Sequence, residues 1–203
     1  NLRTSILMSN LNQVKQVIML TSSVPKEGKT ILSFALAQNM VGLGKRILLI
    51  EADIRRRVQS VEIDRDNTVA LLDLVAGDKK WKEVSLYVEE LGFDILTATR
   101  SDKNAADIFA SQRFSELLTE LREYYDYIII DSPPVLAVPD ARLIGAVSDA
   151  NIYVVEWNKT TGAQVDQGLD MLSSIGVNTI GLVLNQIDPY KTKTYGYTGS
   201  YGY

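Results

Sequence analysis

No cysteine and no histidine occur anywhere in this 203-residue chain. Their absence excludes disulfides, thiol nucleophiles, imidazole bases and zinc sites of the Cys/His type, and it agrees with a reducing compartment. Long apolar runs are also missing. No stretch approaches the roughly 18–20 residues that cross a bilayer as a helix, and no signal peptide is visible. Positive charge is in deficit, with a net charge of −4, so no basic field recruits nucleic acid or an anionic bilayer. Chemistry must therefore come from carboxylates, lysine, hydroxyls, backbone amides and a hard metal ion such as Mg²⁺.

What is present is ordinary for one globular domain: 46% hydrophobic and 23% charged residues. Short aliphatic and β-branched runs at 16–23, 46–53, 93–99, 127–134, 151–157 and 179–185 read as strands, most of them buried on both faces. Helical patterns at 29–43, 68–76, 111–124, 139–147 and 162–175 fall between them. Gly44, Gly77 and Gly176 sit where helix ends want a residue that tolerates positive φ. Strand–helix alternation predicts a doubly wound α/β domain, a mainly parallel sheet with helices on both faces. The domain is expected over 1–189, followed by a flexible tyrosine-rich tail over 190–203. The opening "NLRTSILMSN" has the pattern of mid-helix, which predicts a piece cut from something longer.

The segment "VIMLTSSVPKEGKT" (17–30) is a buried strand, a tight loop, then Gly28-Lys29-Thr30 opening an amphipathic helix. This is a P-loop pattern with Ser23 at the position of the first glycine. Loop amides aimed at a helix N-terminus cradle a β-phosphate, Lys29 reaches the β/γ-phosphates, and Thr30 ligates Mg²⁺. ATP-binding is accordingly expected from Ser23, Val24, Pro25, Lys26, Glu27, Gly28, Lys29, Thr30 and Ile31. Pro25 and Lys26 stiffen a loop that usually carries more glycine.

Phosphoryl transfer also needs acidic groups, at the carboxyl ends of neighbouring strands. "IIIDSPP" ends a strand on Asp131, a Walker B pattern. "RILLIEAD" ends one with Glu51 and Asp53, which share a face if the strand continues that far. The plainer readings are a turn aspartate and a solvated strand end.

Together, the P-loop, the Asp53-to-Arg55 part of a D-x-D-x-R motif, the D-S-P-P Walker B, "NLRTSIL", "VLAVPDARLIG", "GLVLNQID" and the tyrosine-rich end resemble bacterial tyrosine kinases. These are the P-loop kinase domains attached to exopolysaccharide chain-length regulators. The resemblance implies that Asp53 sits in the magnesium shell, that Asp131 holds magnesium or its water, and that Arg55 is the motif arginine. It further implies that Asn185 lies near adenine and that Arg3 closes an oligomerisation motif. Glu51 departs from the family, which usually has Asp there as the residue that helps activate the incoming phenol.

The last fourteen residues hold Tyr190, Tyr195, Tyr197, Tyr201 and Tyr203, five of the ten tyrosines in the chain. A phenol is a poor nucleophile at neutral pH, yet a loose phosphoryl-transfer transition state asks for positioning and charge neutralisation instead. A glycine-padded tail brings several phenols to one cleft in turn. By resemblance, protomers assemble in a ring and phosphorylate one another's tails, partnered by a transmembrane chain-length regulator, fused or separate, and reset by a tyrosine phosphatase. The resemblance implies the cytoplasmic face of the inner membrane as the location. Two other readings stand beside the kinase: a MinD/ParA-like ATPase switch, and a nucleotide-binding module without catalysis. Against the switch, Val24 occupies the place where those relatives carry a second lysine.

Overall fold

A computed structural model describes residues 2–9, 15–53, 71–77, 81, 87–97 and 105–192. The elements run α1 (Leu2–Ser9), β1 (Val17–Ser22), α2 (Lys29–Val41), β2 (Ile47–Glu51), α3 (Leu71–Ala76), β3 (Tyr87–Val88) and β4 (Phe93–Leu96). They continue α4 (Ala105–Phe109), α5 (Gln112–Arg122), β5 (Tyr127–Asp131), α6 (Asp140–Ala146), β6 (Ala150–Glu156), α7 (Gly162–Ser173), β7 (Thr179–Asn185) and α8 (Pro189–Thr192). Seven strands form one sheet in the order β3-β4-β2-β5-β1-β6-β7, parallel throughout except for the β3–β4 pair.

Every residue of β1, β2 and β5 is buried, as the continuous aliphatic runs predict for strands covered on both faces. Alternate side chains feed two cores. One packs Met19, Leu48, Ile130 and Tyr153 beneath α3, α5 and α7; the other packs Ile18, Leu49, Ile129 and Val154 against α2, with Ile6 from α1 joining it. β7 departs from the expectation. It lies at the sheet edge and exposes Leu182 and Leu184 at 55% and 50%.

The helical pattern expected over 111–124 is α5, Gln112–Arg122, and a separate short α4 precedes it. Ser111 turns out of helical geometry at φ −72°, ψ 145°, and its hydroxyl caps α5 by accepting from the Phe114 amide, so α4 ends before it. Phe114, Leu117, Leu118 and Leu121 are buried at the spacing expected of a core-facing helix. Thr161 opens α7 with a full capping box to Gln164. Gly44, Gly77 and Gly176 all take positive φ after helix ends.

At the ends of the strands opposite the loop, Asp149 joins three segments. Its carboxylate accepts the Gln16 and Val17 amides at 2.8 and 2.7 Å and a two-pronged Arg122 guanidinium at 2.7 and 2.8 Å. Burial pushes this carboxyl up, but the Arg122 pairing and the two amides outweigh it and hold it below its ordinary value. A depressed carboxylate stabilises the fold above its unfolded pKa, and that contribution is lost as pH falls through the folded one. Asp149→Ala is expected to cost about 2–3 kcal/mol at neutral pH. In urea titrations across the acid range, the gap between wild type and variant should close below about pH 4.

Candidate functional site

The loop at 23–28 connects the end of β1 to the start of α2. Gly28 is the N-cap of α2 at φ 86°, a left-handed conformation that costs glycine little. A Cβ there would lie 2.2 Å from Asn185 Nδ2, so the position also needs the empty space. No side chain caps this helix start, and its first turn carries no acidic residue, which leaves first-turn amides and the positive end of the helix facing the loop. Such an arrangement suits a phosphate.

Lys29 is 4% exposed, and its Nζ donates to Ser22 Oγ at 2.9 Å. The Ser22 hydroxyl in turn donates to the Val24 carbonyl at 2.9 Å. The ammonium thus lies along the floor of the loop rather than in solvent. Thr30 Oγ1 donates to Asp131 Oδ2 at 2.6 Å, which brings together two residues 101 positions apart. Asp131 ends β5, and β5 lies between β1 and β2, so the sheet order delivers its carboxylate beside the loop. Glu51 ends β2 in direct register with Asp131, at 8% and 2% exposure respectively.

Asp53 does not share a strand face with Glu51. β2 stops at Glu51, and Asp53 lies half-buried two residues beyond. The Ala52 amide still donates to the Asp131 carbonyl at 2.9 Å, the last rung toward β5, and the strand ends before Asp53. Among the described residues, no three acidic groups gather into a metal cage. The Thr30 hydroxyl and the Asp131 carboxylate nevertheless fit Mg²⁺, a hard cation that takes one or two carboxylates and completes its shell with water and phosphate oxygens.

The rest of the loop is held from outside. Ser23 Oγ and the Tyr153 hydroxyl are 2.9 Å apart, and desolvation raises the Tyr153 phenol to about 12, which keeps it protonated. That ring depends on Gly168, where a Cβ would lie 1.8 Å from its oxygen. Asn185 Nδ2 donates to the Glu27 carbonyl and Gln186 Nε2 to the Lys26 carbonyl, both at 2.9 Å. Gln186 was not singled out by sequence reasoning, because its partner in the loop is 160 residues away. Glu27 was read only as one residue of the loop, and its contacts to Glu156 and Thr160 could not be seen from the sequence. Pro25, Lys26 and Ile31 are exposed, Ile31 at 74%. Lys159 pairs with Glu156 at 2.8 Å. Arg3 donates to the Asn39 carbonyl at 3.3 Å, tying α1 to α2. Tyr190 sits on α8 at 84% exposure. Arg55, the basic run 54–60 and Tyr195, Tyr197, Tyr201 and Tyr203 lie outside the described residues.

Sheet, loop and strand-end carboxylates define a P-loop nucleotide-binding domain. Residues 15–183 match the family model described as an AAA domain. The chain is 30% identical over 199 residues to the tyrosine-protein kinase YwqD of Bacillus subtilis, covering 98% of this chain and 84% of that protein. It is 29% identical over 196 residues to the tyrosine-protein kinase etk of Escherichia coli, covering 97% of this chain but only 27% of that protein, so it spans about a quarter of the length of that relative. The solved kinase domain of Escherichia coli ETK superposes with a TM-score of 0.85 at 29% identity, over 91% of this chain and 72% of that one. MinD of Aquifex aeolicus, at 20% identity and a TM-score of 0.70 over 89% of this chain and 73% of that one, shares the fold alone. The chain belongs to the bacterial tyrosine-protein kinase family within these AAA-domain proteins. Among the described residues, no helix is long and apolar enough to cross a membrane.

Proposed function

We propose that this domain transfers the γ-phosphoryl group of ATP to tyrosines of the segment 190–203, with a neighbouring copy's segment as the preferred acceptor. The observation that carries the reading is the Thr30–Asp131 hydrogen bond beside the buried Lys29, a phosphate loop joined to a strand-end carboxylate. Mg²⁺, when bound at Thr30 and Asp131 with Asp53 in its shell, would neutralise charge on the β- and γ-phosphates. Lys29 neutralises the charge that develops on the leaving phosphates. The loop amides and the α2 N-terminus hold those phosphates still, and positioning supplies much of the rate in a loose transition state. Glu51, in register with Asp131, is the acceptor-side base of this reading and takes the proton of the incoming phenol. Asn185 acts on the adenine side of the loop.

The segment contributes several phenols. Each phosphotyrosine adds roughly −1.5 to −2 charges, so phosphorylated tails on adjacent copies of an acidic protein repel. A ring built through Arg3 and its helix would loosen, and a tyrosine phosphatase would reset it. The domain would work at the cytoplasmic face of the inner membrane beside a transmembrane chain-length regulator, serving exopolysaccharide synthesis and export. The relatives named as tyrosine kinases favour this reading over a MinD/ParA-like switch.

Incubation with Mg-ATP followed by intact mass measurement tests it. Successive additions of single phosphates are expected, and they should vanish when the chain is cut at residue 189. Release of ADP without gain of mass would favour the switch instead.

A further inference from the structure

The phosphate loop has fewer glycines than its pattern asks for, so its shape needs support that its own backbone does not supply. Ser23 stands at the first glycine position, Pro25 fixes one φ, and Lys26 sits at φ 75°, a region side chains rarely occupy. One side chain collects most of the support. Glu27 is completely buried. Its Oε2 accepts the Val24 amide at 2.8 Å, while Oε1 accepts the Glu156 amide at 3.1 Å and the Thr160 hydroxyl. The Glu27 carbonyl accepts Asn185 Nδ2 at 2.9 Å. Val24 belongs to the loop, Glu156 ends β6, Thr160 precedes α7 and Asn185 ends β7. A single residue therefore ties four segments to the turn that faces the nucleotide.

We propose that Glu27 is a positioning residue of the nucleotide site, whose carboxylate does for this loop what additional glycines do elsewhere: it fixes the amides of 24–30 in their phosphate-accepting shape. The proposal rests on the nucleotide reading above and gives one residue of its loop a specific role, through the side chain rather than by contact with the nucleotide. A buried charge of the substrate's own sign, one residue before the Gly-Lys-Thr turn, opposes phosphate binding by its field. Only its hydrogen bonds can make its presence favourable. Those bonds use both oxygens, so no neutral isostere reproduces them. A glutamine amide turned either way sets its NH₂ against an N–H or O–H donor. An aspartate falls one methylene short of the β6–α7 turn.

The test measures Mg-ADP affinity by calorimetry together with KM and kcat for ATP in five proteins: wild type, Glu27→Gln, Thr160→Val, the double variant of these two, and Lys29→Ala as the control for lost phosphate binding. Glu27→Gln is expected to weaken ADP about tenfold or more and to raise KM in step, with kcat at saturating ATP changed less than about threefold, as for a lost uniform binding interaction. Thr160→Val removes one bond of the three. It should weaken ADP about threefold while its unfolding midpoint stays within about 2 °C of wild type. The double variant should lose less than the product of the two, because both changes break the same contact. Glu27→Gln and Thr160→Val both binding ADP as wild type does would overturn the proposal. So would a Glu27→Gln loss that follows unfolding alone while Thr160→Val binds normally. A wild-type protein that does not bind ADP would sink the nucleotide reading and this proposal with it. Wild-type binding with unaltered variants sinks the proposal alone.

Discussion

Lys29→Ala is expected to lower phosphate incorporation by roughly 10³-fold or more while leaving the protein folded. The side chain is 4% exposed, its ammonium held by Ser22 Oγ at 2.9 Å along the loop floor. On the proposed reading it would meet the triphosphate there, and a buried fixed charge counts for far more than it would in solution. Alanine removes the charge without adding bulk, so the loop and α2 should persist. Lys29→Arg should not rescue the rate. A branched planar guanidinium needs more room than a buried ammonium and presents its donors in a fixed fork. Initial rates at saturating Mg-ATP, with near-ultraviolet circular dichroism as the check on folding, measure both variants. Incorporation within about tenfold of wild type for Lys29→Ala would remove the lysine from the role assigned here.

Asp131→Asn is expected to cost about 10²–10³-fold in kcat, through a different physical cause. Asparagine keeps the size and can still accept the Thr30 hydroxyl through its amide oxygen, so the 2.6 Å contact need not be lost. The negative charge that a divalent ion requires is lost. The difference between two binding measurements isolates that effect. ADP affinity without magnesium should stay within about threefold of wild type, while the gain on adding magnesium should largely disappear. The same experiment on Glu51→Gln should leave magnesium dependence intact and reduce only transfer, if Glu51 serves the phenol rather than the metal. Equal magnesium dependence in wild type and Asp131→Asn would contradict the division of labour between these two neighbouring strand ends.

Much of this site was legible in the sequence, for reasons particular to each segment. The run 17–41 is readable because strand, turn and helix are contiguous, and local chemistry at Gly28, Lys29 and Thr30 marks the junction. Asp131 and Glu51 are readable as strand ends because aliphatic runs stop on them. Their direct pairing is not readable, since it depends on β5 inserting between β1 and β2, a choice of strand order that no local pattern encodes. The same limit explains Glu27. In the sequence it is one more polar loop residue; only the approach of Glu156, Thr160 and Asn185 turns it into a buried anchor. Asp53 shows a different limit. Period-two spacing put it on the face of Glu51 only if the strand continued that far, and β2 ends at Glu51 with one further rung from the Ala52 amide to Asp131. The helical pattern at 111–124 was legible because its apolar spacing and its Ser111 cap are both local, and α5 spans Gln112–Arg122.

Labelling with ATP carrying a radioactive γ-phosphate, then identifying the phosphoamino acid after acid hydrolysis, tests the central claim most directly. The account predicts label on tyrosine, within 190–203, and none in the Lys29→Ala protein. Label recovered only as inorganic phosphate, or on serine and threonine, would contradict it.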